Sequence, residues 1–264
     1  MKNFVHILVF ILSIPLTFAQ SGKAIDSIRL DVNDIITDFG TDDFNSMYYI
    51  RNFSELNKID YRTQKRESFS NQSILENLNT QNVLQISLKS GIFNLVVLDN
   101  QLNLVHDPIQ FPIDGSFMPT LTALVDNSYL WGYDPVLQRL VLWNYRNRKI
   151  IRQSVILNEK TGDEYFSNLI YTYNRMYLIS QTKILQFDEY ANLESVIPFQ
   201  AYNQIIYKDN AFYFSTENEM YQLNLKSKET VKIPLNSDFD YFSINKNFLF
   251  VLKNKVVYIY NLPK

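Results

Sequence analysis

Short apolar runs recur along this chain, and each ends on the same polar stop. The pattern is an apolar residue, two further positions, a second apolar residue, then Asp or Asn. The first copy reads Leu56-Asn57-Lys58-Ile59-Asp60, and five more end at Asp99, Asn144, Asp188, Asn224 and Asn261. Ahead of each lies a second run rich in aromatic and aliphatic residues, at 47–50, 83–86, 129–131, 176–179, 212–214 and 248–251. Runs this short, bounded by Asn, Asp, Ser and Gly, predict β-strands. The closing Asp or Asn predicts a turn, because its side chain bonds nearby backbone and tolerates left-handed conformations. Where successive positions are all apolar, as at Val96, Val97 and Leu98, the strand is expected to be buried on both faces.

The polar stops stand 36 to 45 residues apart, a period that fits one four-stranded unit per repeat. The fifth unit is the clearest, with strands expected at 203–208, 211–215, 220–225 and 230–235; the fourth repeats it at 169–173, 176–180, 184–188 and 193–199. The sixth unit has room for three strands only, at 241–244, 248–252 and 255–260, before the sequence stops at Lys264. The unpaired segment 27–32 supplies the missing one, and a ring closed in this way exposes no sheet edge. The expectation is an all-β fold, a six-bladed β-propeller closed by an N-terminal strand that completes the last blade. Its blades fall at about 33–72, 73–114, 115–160, 161–200, 201–236 and 237–264 plus 24–32, one domain over 20–264.

Composition adjusts this picture at a few points. There is no cysteine, which removes disulfides, thiolate metal sites and cysteine nucleophiles. A net charge of −2 gives no basis for general nucleic-acid binding. Residues 1–19 have the layout of a signal peptide: Lys2, an apolar stretch from Val5 to Phe18, and small residues at Thr17 and Ala19. Beyond Gln20 no stretch is long and apolar enough to span a bilayer. An exported protein is therefore expected, periplasmic or extracellular, soluble or held peripherally at the outer membrane.

The repeat resembles the six-bladed β-propeller superfamily across essentially the whole mature sequence. The named subfamilies fit poorly, since Trp131-Gly132 and Trp143-Asn144 carry the two tryptophans of the chain and neither makes a repeated blade signature. The likeness to periplasmic propellers of outer-membrane assembly or secretion machines is one of shape, size and address. What it implies is docking.

Candidate chemistry is sparse. His106 is the one histidine beyond the leader, and no Gly-x-Ser-x-Gly elbow or phosphate-binding glycine loop accompanies it. It reads as a surface or structural residue. Asp38-Phe39-Gly40-Thr41-Asp42-Asp43 lacks the spacing and distal Glu of a calcium loop and reads as a polar turn. No cofactor, metal or catalytic residue is assigned.

Sorting loops by repeat position yields more. Turns between third and fourth strands all emerge on one face of a propeller, and three are basic: Arg62, Lys65 and Arg66; Arg146, Arg148, Lys149 and Arg152; Lys226 and Lys228. Connectors between units emerge on the other face and carry Asp107, Asp114, Glu159, Asp163, Glu164, Asp238 and Asp240. A disc with one basic and one acidic face is expected, its basic turns meeting a protein partner in the cell envelope. The alternative is a glycan-binding or glycan-cleaving propeller. It would use loop tyrosines (Tyr133, Tyr145, Tyr165, Tyr190, Tyr202) and connector carboxylates.

Overall fold

The computed structural model describes residues 23–30, 34–157, 164–172, 175–217, 219–235 and 238–262. The leader-like segment 1–19 lies outside them, as do Glu159, Asp163 and Asn174. The described strands form six four-stranded antiparallel sheets. The chain first lays down β1 (Asp26–Arg29) and then blade 1, which is β2 (Ile36–Thr41), β3 (Ser46–Arg51), β4 (Glu55–Asp60) and β5 (Arg66–Ser70). Blade 2 is β6 (Leu75–Asn79), β7 (Ile86–Ser90), β8 (Asn94–Leu98) and β9 (Ile109–Gln110). Blade 3 is β10 (Leu121–Leu124), β11 (Tyr129–Asp134), β12 (Arg139–Asn144) and β13 (Lys149–Gln153). Blade 4 is β14 (Phe166–Thr172), β15 (Arg175–Ser180), β16 (Lys183–Phe187) and β17 (Leu193–Pro198). Blade 5 is β18 (Gln204–Lys208), β19 (Ala211–Ser215), β20 (Met220–Asn224) and β21 (Thr230–Ile233). Blade 6 has β22 (Tyr241–Ile244), β23 (Phe248–Lys253) and β24 (Val256–Asn261), with β1 as its outermost strand. There Asp26 faces Ile259 and Arg29 faces Val256.

Burial explains the residue pattern along each blade. Second strands are covered on both faces, as in β3, and so is the third strand β8, where blades stack on each other. Fourth strands alternate between exposed and half-buried positions, as in β5 and β17, because blades splay apart toward the rim. The apolar core is divided into six clusters, and each fills the seam between two neighbouring blades. Tyr48 and Leu56 of blade 1 meet Leu88 and Val96 of blade 2. Phe250 and Val257 of blade 6 meet Met47 and Ile59 of blade 1. The aromatic residues are concentrated here, packing edge-on across the seams, as Tyr133 does on Phe166.

The recurrent Asp or Asn has a defined task. Asp60 Oδ1 accepts the N–H groups of Arg62 and Thr63 at 3.0 and 2.7 Å, and Asp99 Oδ1 those of Gln101 and Asn103. Asn144, Asp188 and Asn224 do the same for their own turns. Each residue thus holds the turn into the fourth strand with its own side chain.

Two expectations are corrected. The second strand of blade 2 is not at 83–86 but is β7, Ile86–Ser90. Asn82 Oδ1 binds the Leu84 N–H at 3.0 Å and keeps 82–85 a turn. Ser87, Lys89 and Ser90 are buried despite their polarity, so hydropathy hides the true strand. The segment expected at 27–32 begins one residue earlier, as β1 over Asp26–Arg29, with the Leu30 N–H reaching the Lys255 carbonyl at 2.8 Å; Asp31 and Val32 lie outside the described residues.

One seam makes a testable demand. A Cβ at Gly132, within β11, would lie 2.6 Å from the Phe117 ring and 2.9 Å from Pro119. Gly132→Ala is expected to destabilise by about 1–3 kcal/mol through overpacking. The check is a lower urea midpoint with an unchanged slope.

Candidate functional site

The first strands of all six blades line an axial channel. The ends of β2, β6 and β22 with β10, β14 and β18 surround a cavity of about 670 Å³, and the beginnings of β2, β6, β18 and β22 with Asn168 of β14 surround a second of about 440 Å³. Asn77, Asn168, Gln204 and Ile205 line both, so these residues form the waist. We call the first end upper and the second lower. Turns from first to second and third to fourth strands stand at the upper end, as the Tyr61 N–H bond to the Asn45 carbonyl shows. Turns from second to third strands and the connectors between blades stand at the lower end, where the Leu75 N–H meets the Phe53 carbonyl.

First strands of neighbouring blades do not pair through a backbone ladder, so side chains bridge them. Asp38 Oδ2 accepts the Leu78 N–H at 3.0 Å, joining β2 to β6. Thr41 meets Ser243 at 2.8 Å, joining β2 to β22. Gln204 both donates to the Phe242 carbonyl and accepts its N–H, each at 2.9 Å. Burial pushes the Asp38 carboxyl up to about 6, against the opposing pull of the Leu78 and Phe39 N–H groups.

At the upper end the Asp42 and Asp43 carboxylates have separate duties. Asp42 is buried and accepts from the N–H groups of Phe44 and Ser46 and from the Tyr48 hydroxyl. Asp43 pairs with Lys208 at 2.5 Å and Lys246 at 3.8 Å. The polar-turn expectation for 38–43 is corrected: residues 38–41 belong to β2, and the turn begins at Asp42, whose carboxylate, like that of Asp43, is met by protein donors.

The predicted partner-binding cations all lie at or near this upper end, on alternate blades. Arg62 and Lys65 are on the β4–β5 turn and Arg66 opens β5. Arg146 and Arg148 are on the β12–β13 turn, Lys149 opens β13 and Arg152 lies within it. Lys226 and Lys228 are on the β20–β21 turn. The structure does not gather them into one patch: the turns of Asp99 and of Asp188 and Glu189 stand between them. Several do structural work. Lys65 pairs with Glu67 at 2.7 Å, and Arg146 Nε donates to the Asn127 carbonyl at 2.5 Å. Arg152 donates to the Glu189 carbonyl at 2.6 Å and lies over the Tyr190 ring, stitching blade 3 to blade 4. Arg62, Arg148, Lys149, Lys226 and Lys228 stand exposed.

The loop tyrosines divide. Tyr165 and Tyr190 are exposed, but Tyr133 and Tyr202 are core residues, 6% exposed each, drawn into seams by Phe166 and Phe199. Tyr145 is half-buried and donates to the Asp126 carbonyl. Connector carboxylates are likewise engaged: Glu164 with Lys183 at 2.7 Å, Asp238 with Lys253 at 3.6 Å, Asp240 with the Asn254 N–H, Asp114 with that of Ser116. His106 packs against Tyr145, with Nδ1 at the Asp107 carbonyl.

Sequence reasoning missed the lower rim. Large apolar residues are exposed at its turn and connector tips, including Phe53, Ile74, Ile92, Ile113 and Val136. The available signal was a bulky residue in positions where hairpin chemistry calls for polar ones, as in Asn52-Phe53.

No family model matches the chain, and no curated protein matches it. Solved structures do. A Bacteroides thetaiotaomicron protein of unknown function superposes with a TM-score of 0.64 at 12% identity, over 91% of this chain and 73% of its own. The β-propeller domain of Cps50 (Swd1) from Myceliophteria thermophila gives 0.58 at 15% identity, covering 86% and 83%. BamB from Moraxella catarrhalis gives 0.53 at 11% identity, covering 91% and 100%. At these identities the likeness is one of fold. Six four-stranded sheets around one channel, matched by solved propellers over nearly the whole chain, make this protein a six-bladed β-propeller.

Proposed function

We propose that the protein is a non-catalytic docking scaffold, exported to the cell envelope, that engages a protein partner through its upper rim. One observation carries this reading: exposed cations sit on turns whose backbone is already held by the Asn144 and Asn224 side chains. Charges presented on a fixed hairpin need little ordering on binding, and they steer encounter with an acidic partner surface. The leader-like residues 1–19 direct the reading to the envelope, with an outer-membrane assembly or secretion complex as the assembly it would join.

The test is affinity purification of the tagged chain from its native envelope under gentle extraction, followed by kinetics with the recovered protein. A stoichiometric partner is expected. Arg148→Glu with Lys149→Glu is expected to slow association about tenfold at low salt and to flatten its salt dependence. Recovery of no partner, or kinetics untouched by the reversal, would sink the proposal. The glycan alternative fares worse, because two of its five tyrosines are core and the Glu164 carboxylate is tied to Lys183.

A further inference from the structure

Five exposed apolar side chains follow one another around the lower rim. Phe53 tips the second-to-third turn of blade 1, Ile92 that of blade 2 and Val136 that of blade 3. Ile74 and Ile113 sit on the connectors between these blades. Scattered exposed apolar residues need no explanation, but five at one end, on the turns and connectors of three adjacent blades, do.

Phe53 is held in an unfavourable conformation as well. Asn52 and Phe53 have φ of 49° and 60°, the two left-handed positions of a tight hairpin turn that ordinarily takes Asn-Gly. A bulky residue there is strained unless packing compensates. Leu102 has a similar φ of 61° but is only 4% exposed, so its burial accounts for it. Phe53 is 50% exposed. Half of the residue's surface is left open at that tip.

The ring stands at the mouth of the lower cavity, about 440 Å³, whose lining includes Phe53, Asp38, Glu76, Glu217 and Asp240 and neither lysine nor arginine. Among the cations at this end, Arg51 lies against Asp34 and Glu55, Lys183 against Glu164 and Lys253 against Asp238, while Arg29, opposite Val256, lies outside the cavity lining. Arg139 and Lys255 lie at this end outside the cavity lining. An acidic recess in low-dielectric walls concentrates its field on whatever enters.

We infer that the lower rim is a second docking site, for a protein segment whose apolar side chains lie on the arc from Phe53 to Val136 while a lysine or arginine between them enters the acidic mouth. Apolar anchors supply affinity and the buried cation fixes the register, the division of labour found at protein interfaces. The site is separate from the upper rim, and it stands or falls independently of the cations there.

The experiment is selection of a displayed library of random peptides against the full chain, with hits measured by fluorescence anisotropy. Enriched sequences are expected to place Lys or Arg beside large apolar residues. Phe53→Gly, and separately Glu76→Gln with Asp240→Asn, are each expected to weaken the hits about tenfold or more. Arg148→Glu with Lys149→Glu is expected to leave them unchanged. Phe53→Gly relieves a left-handed φ, so its melting temperature is expected to equal or exceed that of the parent; lost binding then reports the surface, not unfolding. Failure to enrich any peptide, enrichment of acidic or uncharged sequences, or hits indifferent to Phe53 and the carboxylates would each overturn the inference.

Discussion

Replacing Trp143 by alanine is expected to lower the free energy of unfolding by about 3–5 kcal/mol, the largest effect of any single substitution considered for this propeller. Trp143 lies on β12 and is 1% exposed. Its ring centroid is 5.9 Å from that of Phe111 and 5.3 Å from that of Phe117, with Val97 of blade 2 and Leu130 of blade 3 in the same cluster. Truncation removes this burial and leaves a void in the seam between blades 2 and 3. The seam cannot collapse easily, because each blade is also held by its other neighbour around the ring. In a chain of this size the loss corresponds to a melting temperature lower by on the order of 10 °C. Urea unfolding of the full chain is the measurement. A loss below about 1 kcal/mol, ordinary for a random substitution, would mean that the seam is not packed as described.

The second large effect is a pH dependence located at Asp38. Its folded carboxyl is raised from 3.8 to about 6, by burial above all. As pH climbs through this window the unfolded chain releases the proton first, so the unfolded state is favoured and stability falls. The loss is complete above about 6, and it amounts to up to ~3 kcal/mol from a shift of this size. Asp38→Asn cannot titrate. The stability of the variant relative to the parent is therefore expected to rise by about that amount between pH 4 and pH 7, whatever its starting value. Constant relative stability across the window would refute the assignment.

The turn carboxylates work in the opposite direction. In Asp60, Asp99 and Asp188 burial tends to raise the pKa, but hydrogen bonds from Thr63, Asn103 and Asn192 outweigh it and lower the group. Their contribution is present above the ordinary carboxylate range and is lost as pH falls below it. These groups are common to the parent and to Asp38→Asn, so the comparison of the two isolates Asp38. The parent retains a group that weakens the fold at neutral pH, and this charge faces the lower mouth of the channel.

Local chemistry made much of this protein legible. The third strand of every blade could be read from its apolar run, and the turn after it from Asp60, Asp99, Asn144, Asp188 or Asn224, because a side chain bonding N–H groups two to four residues ahead is a sequence-local event. The second strands were equally plain where they are wholly apolar, as in Met176 to Ile179. They were hidden where burial falls on polar residues, as at Ser87, Lys89 and Ser90. The repeat spacing then limited the architecture to a ring of six. It did not show how many cations of the basic turns were already engaged, as Lys65, Arg146 and Arg152 are.

The rest depended on what the ring brings together. Tyr133 and Tyr202 read as loop residues and became core, because Phe166 of the neighbouring blade covers Tyr133, and Phe199 of the same connector, itself packed on Phe214, covers Tyr202. Asp38 read as part of a polar turn and became a bridge to β6, because the first strands have no ladder between them and need a side chain to join them. The arc from Phe53 to Val136 is spread over more than eighty positions. It became one surface only because each blade turns the chain back to the same end. The sequence by itself determined the repeat, its third strands and the turns after them, since these follow from periodicity and neighbouring backbone. Only the tertiary structure decided which charges stay free and which apolar tips meet around the channel mouth, since both depend on contacts between blades that no local pattern records.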